Sequence, residues 1–269
     1  MVEDNVTNQM VASVMLQKLG FEVDLAATGG KALESLEKEP YDAVLMDVQM
    51  PDMDGLEATR RIRDPRSRVH AHDVPIIAMT ANAMPGDRER CLKAGMNDYV
   101  AKPLSQPFLE MILNKYVKDR GSEGPDSAGS PDVVQSASCV EPQPPVFDKA
   151  DLEARLGGDA NLALEPAQVY LEEMPGMIRD LEVCVSAGDC SGIRLQAHSV
   201  KGATASLGGA ALTAVALAME TAAKAGDLDA VRAALPSLKV QFEALKAALV
   251  LEFNLGDGPD TGASEPRAA

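Results

Sequence analysis

Residues 41–55 read Tyr-Asp-Ala-Val-Leu-Met-Asp-Val-Gln-Met-Pro-Asp-Met-Asp-Gly. The run Ala43-Val44-Leu45-Met46 is apolar on both faces a strand would present, and it stops on an acid, Asp47. A strand buried on both faces belongs in a parallel sheet with helices on each side. Working outward, further strand-like runs lie at 21–26, 41–46, 74–79 and 99–100. Helical patterns lie between them at 5–19, 28–38, 55–62, 85–94 and 105–117. The last is the clearest, with Phe108/Leu109, Ile112/Leu113 and Tyr116/Val117 repeating every four residues. Gly20, Pro40 and Gly95 stand where helices should stop. In open α/β sheets the ligand site sits at the carboxyl ends of the strands.

Polar residues cluster at those ends. Glu3 and Asp4 follow the remnant of a first strand, Asp47 ends the third, Thr80 ends the fourth and Lys102 follows the fifth. Three carboxylates at one sheet edge cannot all stay ionised without a counter-charge. A hard divalent cation supplies one, and Mg²⁺ suits two or three carboxylates together with waters and a phosphoryl group. Lys102 adds a point charge and Thr80 a hydroxyl donor. The set fits a carboxylate nucleophile that accepts a phosphoryl group. The plainer alternative is a group of solvated acids near helix starts. It suits any one acid alone better than five residues at separate strand ends.

The segments Val2-Glu3-Asp4-Asn5, Leu45 to Gly55, Met79-Thr80-Ala81-Asn82 and Tyr99-Val100-Ala101-Lys102-Pro103 resemble, in order and spacing, the receiver domain of two-component response regulators. The resemblance spans residue 1 to about 118. It implies α/β architecture, a flavodoxin-like doubly wound parallel five-stranded sheet. It also implies that Asp47 is the phosphoacceptor, and that Glu3 and Asp4 hold Mg²⁺ with the Gln49 backbone carbonyl. By the same resemblance Thr80 and Lys102 bind phosphoryl oxygens, Tyr99 is a rotating switch aromatic, and Lys102-Pro103 is a cis peptide. Only Met1 and Val2 precede the acids, where receivers have several more apolar residues. The expectation is weakened folding of this half or a true start upstream of Met1.

A seam follows. Residues 121–145 are rich in Gly, Ser and Pro, hold four acids and no Lys or Arg, and have little to bury. Such a stretch cannot offset its own ordering entropy and reads as a flexible linker. Twenty-five such residues span about 25–30 Å. The stretch 254–269 reads as a disordered tail. The domains expected are 1–120, the linker 121–145, a second domain at 146–253, and the tail.

The second domain shows no strand pattern. Its apolar residues repeat in threes and fours: Leu171, Met174, Ile178, Leu181 and Val185, then Ile193, Ala197, Val200, Thr204 and Leu207. Leu212, Val215 and Met219 continue the pattern, and Leu228 to Leu249 complete it. Ala187-Gly188-Asp189 and Ala225-Gly226-Asp227 place a helix-ending Gly before a capping Asp. The expectation is all-α, an antiparallel four-helix bundle, preceded by a short helix at 149–156. Pro236 is expected to kink the last helix without ending it.

This half contains one histidine, His198. Ala197 and Val200 lie on the buried stripe, so His198 lies about 100° round the helix, toward solvent. Lys201 and Gly202 follow one turn later. A Gly inside a helix costs about 1 kcal/mol against Ala, and room beside the imidazole is a reason to keep it. A surface His alone is more often inert. The run Ala197-His198-Ser199-Val200-Lys201-Gly202 with Gly208 resembles the signature of histidine phosphotransfer domains, a likeness covering about residues 146–252. It implies that His198 is phosphorylated, Lys201 is its electrostatic partner, and Gly202 gives clearance.

Composition narrows the alternatives. The 269 residues carry 41 acids against 25 bases, net charge -16, and acids outnumber bases in each half. That argues against a nucleic-acid binder held by phosphates. Aromatics are 3% with no Trp, which leaves no stacking platform for bases. The four cysteines lack CxxC spacing and read as reduced thiols of a cytoplasmic protein. Thr28-Gly29-Gly30-Lys31 fails as a P-loop, with Leu25 at the first Gly position and Ala32 at the Ser/Thr. His70-Ala71-His72-Asp73 reads as solvated rather than metal-binding, and Arg60, Arg61, Arg63, Arg66 and Arg68 as a solvated face.

The two resemblances together suggest a phosphorelay module like the C-terminal part of a hybrid sensor histidine kinase. Asp47 would take phosphoryl from a kinase phosphohistidine, and His198 would pass it to a downstream response regulator. The chain has no Gly-rich nucleotide loop and is not expected to use ATP by itself. Competing readings are a phosphate sink running the transfer backward, a docking module without turnover, and a DNA-binding regulator. The bundle lacks a helix-turn-helix pattern for the last.

Overall fold

A computed structural model describes residues 1–81, 85–117 and 144–255. Three parallel strands, β1 (Val44–Asp47), β2 (Ile76–Thr80) and β3 (Asp98–Ala101), pair in that order. Val2 bridges in parallel to both Met46 and Ala26, so the sheet continues past β1 as single bridges.

The five full strands expected are therefore three among the described residues, and 21–25 is not a strand. At this edge the pairing is confined to single residues. Val2 and Glu3 donate to Leu45 and Ala26 carbonyls, and Ala26 donates to the Met1 carbonyl. Ala26 pairs with Val2, while residues 21–25 join no ladder among the described residues, so an apolar run alone does not make a strand.

Five helices accompany the sheet: α1 (Val6–Lys18), α2 (Gly29–Leu36), α3 (Gly55–Arg63), α4 (Pro85–Ala94) and α5 (Gln106–Val117). Alternation along the strands sorts their side chains. Leu45, Ile77, Met79 and Val100 pack with α1 and α5, while Val44, Met46, Ile76 and Ala78 pack with α2 and α3. Both faces are covered. The P-loop-like run is a helix cap, with Thr28 Oγ1 accepting from the Lys31 amide at 3.2 Å.

The second half holds α6 (Lys149–Arg155), a 3-10 turn (Ala160–Ala163), α7 (Leu164–Ala187), α8 (Cys190–Ser206), α9 (Ala210–Ala225) and α10 (Leu228–Phe253). The ring of contacts closes: α7 packs on α8, α8 on α9, α9 on α10, and α10 on α7. Met174, Leu181, Ile193, Val200, Leu212, Met219, Leu238 and Leu245 are fully buried inside it. Gly188 and Gly226 adopt φ of 68° and 77° at the ends of α7 and α9, and Asp189 and Asp227 cap α8 and α10. Helix α10 runs through Pro236.

Helix α1 packs against α7 and α8 as well as α5. It lies between sheet and bundle, and its Val11, Ala12, Met15 and Leu16 share one continuous apolar cluster with the bundle interior. Of the expected linker only 144–145 is described, and of the tail only 254–255; the remainder of both lies outside the described residues. Among the described residues, no helix is long and apolar enough to cross a membrane.

Candidate functional site

The strand ends converge as the sheet topology requires. Asp47, the last residue of β1, is 3% exposed, and Glu3, just past the Val2 bridge, is 1% exposed. Lys102 follows β3, its amide bonded to the Thr80 carbonyl at 2.8 Å. Its Nζ donates to Glu3 Oε2 at 2.6 Å and to Asp47 Oδ2 at 2.7 Å. The Gln49 amide donates to Asp47 Oδ1 at 3.1 Å. The Lys102-Pro103 bond is cis. Gly55 sits where a Cβ would lie 2.0 Å from the Asp47 carbonyl oxygen. The Gly of the Met-Asp-Gly run is therefore obligatory for holding that strand end.

One oxygen from each of Glu3, Asp4 and Asp47 falls within 4.8 Å of the others. Burial pushes the Asp47 carboxyl up to about 6, against the opposing pull of Lys102. Asp4 is raised by burial and by the neighbouring Glu3 charge. Burial lowers the Lys102 ammonium, but Glu3 and Asp47 outweigh it and the net direction is up. Three crowded oxygen donors opposed by one ammonium form a set that a divalent cation fits. Thr80, 5% exposed at the end of β2, and Gln49 border the same cleft. Tyr99 is half-buried, with the Arg88 guanidinium 5.9 Å from its ring centre.

His198 differs from its expectation. Its side chain is 15% exposed rather than turned to open solvent, facing Glu220 of α9 and bordering clefts shared with the first half. Nδ1 lies 2.8 Å from Glu220 Oε1, and Lys201 Nζ donates to Glu220 Oε2 at 2.6 Å. Burial raises the Glu220 carboxyl, but the bonds from His198 and Lys201 more than offset this and hold it at about 2. Gly202 also serves another purpose than room for the imidazole. A Cβ there would meet Asn8 Nδ2 of α1 at 3.2 Å, and the imidazole is not within 4 Å of it.

His198 borders two clefts between the halves. One, about 340 Å³, is also lined by Asp4, Gln49, Thr80 and Arg194. The other, about 220 Å³, is lined by Glu3, Asp47, Lys102, Lys201 and Gly202. The strand-end residues and the histidine, 151 positions apart in the chain between Asp47 and His198, thus share one region. Sequence reasoning missed Glu220. Its signal was present, since it is the one acid of α9, a helix otherwise of small and apolar residues with a single Lys. It also missed Asn8 and Ser206, which join the halves. Elsewhere, His72 Nδ1 lies 2.7 Å from the Ile62 carbonyl, and Arg63 holds the Gly95 and His72 carbonyls rather than facing solvent.

A family model described as the response regulator receiver domain matches residues 1–114, and one described as the Hpt domain matches residues 167–248. Aerobic respiration control sensor protein ArcB of Escherichia coli (strain K12) is 34% identical over 210 residues, 77% of this chain and 25% of the relative. Sensor histidine kinase GacS of Pseudomonas protegens is 31% identical over 230 residues, 85% of this chain and 24% of the relative. The chain spans about a quarter of the length of these curated relatives. Among solved structures, the receiver domain of a sensor histidine kinase from Pseudomonas aeruginosa PAO1 is 50% identical. It covers 44% of this chain and 94% of its own, with TM-score 0.40.

Proposed function

The chain belongs to the response regulator receiver family in its first part and to the Hpt family in its second, and from that premise we propose that it is a two-component phosphorelay module. In this reading Asp47 accepts a phosphoryl group from the phosphohistidine of an upstream kinase. His198 takes it from Asp47 and hands it to the receiver of a downstream response regulator. The observation that carries the reading is the position of His198, on two clefts whose other walls include Asp4, Asp47, Thr80 and Lys102.

The residues divide the work by chemistry. The Asp47 carboxylate attacks phosphorus and leaves as a carboxylate in the next step. Lys102 and Thr80 supply a cation and a hydroxyl to the equatorial oxygens. Glu3, Asp4 and Asp47, with the Gln49 carbonyl, would hold Mg²⁺. When bound, that ion supplies positive charge to the transferring phosphoryl oxygens. A carboxylate such as Glu220 can only accept, so the His198 nitrogen facing it, Nδ1, carries the proton. Nε2 then keeps its lone pair for phosphorus. The bond from Nε2 to phosphorus forms as the bond to the Asp47 oxygen breaks, and the Nδ1 proton stays on the ring beside Glu220. Tyr99 is the switch aromatic of this reading.

The domains that go with it are 1–120 and 146–253, joined by 121–145 and followed by the tail 254–269. The receiver carries the five-stranded flavodoxin-like order, with Val2 and Ala26 as its two shortest members. The Hpt half is an antiparallel four-helix bundle of α7 to α10, and the setting is the cytoplasm. Incubation with acetyl phosphate and Mg²⁺ tests the reading, with peptide mapping of label on both residues. Phosphoryl on Asp47 and His198 is expected, and a chain that takes none on either residue contradicts it.

A further inference from the structure

A line of hydrogen bonds runs from the carboxylate pocket into the bundle. Lys102 Nζ joins Asp47 to Glu3. Glu3 Oε1 accepts from Asn8 Nδ2 at 2.9 Å, and Asn8 Oδ1 accepts from Ser206 Oγ at 2.7 Å. Asn8 is 7% exposed and Ser206 6%, so neither bond competes with bulk water. Asn8 lies in the first turns of α1, held by the Asn5 side chain, which caps the Asn8 amide at 3.0 Å. On the other side Arg155 grips the carbonyls of Ser206 and Ala205 at 3.2 Å each. Both ends of the line are therefore fixed.

The chemistry of Asn8 allows one arrangement. Glu3 only accepts, so the amide NH₂ must face it, which leaves Oδ1 for the bundle. Ser206 must then donate. Without that hydroxyl the amide is free to turn its carbonyl toward Glu3, a repulsive contact that would swing the carboxylate away from the pocket. Gly202 leaves this amide its space, since a Cβ there would crowd Nδ2 at 3.2 Å.

We propose that Asn8 is a positioning residue coupling the two halves: seating the bundle on α1 orients Glu3 for a divalent cation, and cation binding in turn favours the seated bundle. The inference rests on the phosphorelay reading above for the identity of the cation. Reciprocity follows from linkage, because any effect of docking on cation affinity is matched by an equal effect of the cation on docking. Residues of the Hpt half that touch neither carboxylate nor phosphoryl then set the affinity of the receiver pocket.

The test is Mg²⁺ binding to the full chain by calorimetry, with no phosphoryl donor, comparing the native sequence with Ser206→Ala and Gly202→Ala. Both variants are expected to bind Mg²⁺ about three- to fivefold more weakly, the size of one neutral buried hydrogen bond. Gly202→Ala is the sharper case, since Ala favours the helix itself. A purely structural role predicts a more stable bundle and unchanged affinity. Far-UV circular dichroism establishes that each variant is folded. Unchanged Mg²⁺ affinity in the folded variants overturns the coupling alone. No Mg²⁺ binding by the native chain overturns both the coupling and the reading beneath it.

Discussion

His198 Nδ1 and Glu220 Oε1 lie 2.8 Å apart, across two helices and 22 positions of sequence. The same carboxylate takes Lys201 through its other oxygen at 2.6 Å. One acid thus fixes both the tautomer of the histidine and the place of its neighbouring cation. An imidazole held by an ionised partner presents its other nitrogen in a fixed direction.

Replacing Glu220 with Ala should therefore slow transfer from Asp47 to His198 by about tenfold, the low end of what losing an orienting carboxylate costs at metal-bound imidazoles. Labelling of Asp47 itself should not change. Rapid-quench measurement of the two species separates these steps. Equal transfer rates would remove Glu220 from the account.

Acid should weaken the helical half through the same residue. The Glu220 carboxyl is held at about 2 in the fold, with burial opposing and the His198 and Lys201 bonds prevailing, against about 4.3 when unfolded. A depressed carboxyl stabilises the fold above the unfolded value, and that contribution fades as pH falls toward the folded one. Thermal unfolding of the native chain and Glu220→Gln should show a midpoint difference that is constant above about pH 5 and shrinks between about pH 4 and pH 2. A difference that grows on acidification contradicts the sign.

Gly55→Ala should damage the receiver pocket without touching its charges. The added Cβ would stand 2.0 Å from the Asp47 carbonyl oxygen, so β1 or α3 must move. Overpacking of this kind costs about 1–3 kcal/mol. Denaturant unfolding should register the loss in the receiver half, together with lower Asp47 labelling. Native stability in the variant would mean the loop yields freely.

Transfer between the two sites should occur within one chain. The second half packs on α1 of the same chain, and a short tether holds two joined sites at roughly millimolar effective concentration. The Asp47-to-His198 rate should not vary on dilution. A rate proportional to protein concentration would show exchange between chains.

The residues that gather at the clefts were legible because their chemistry follows the chain: an apolar run ending on Asp47, a lysine after the last strand, a histidine one turn before Lys201. The apolar threes and fours likewise marked the bundle core, with Ile193, Ala197, Val200 and Leu207 all fully buried. Local pattern failed where a partner decides the outcome. Residues 21–25 have the composition of a strand, yet among the described residues only Ala26 after them pairs with the sheet, at Val2. His198 faces outward on its own helix, yet another element covers it. Asn8 and Ser206, 198 positions apart, carry no local mark of their meeting, and Gly202 could not be assigned to Asn8 before the halves were seen together.

A relay of this kind requires that phosphoryl reach His198 by way of Asp47, and acetyl phosphate labelling of three chains decides whether it does. The receiver pocket supplies acids, a lysine and a hydroxyl around Asp47, whereas His198 Nδ1 faces the Glu220 carboxylate, whose other oxygen takes Lys201. Asp47 should label first and only with Mg²⁺, and His198 only through Asp47. The products differ chemically, since an acyl phosphate is lost in base and a phosphohistidine in acid. With His198→Ala the base-labile form should remain, and with Asp47→Ala both forms should vanish. Strong acid-labile labelling of the Asp47→Ala chain would show that His198 takes phosphoryl independently, and would contradict the relay.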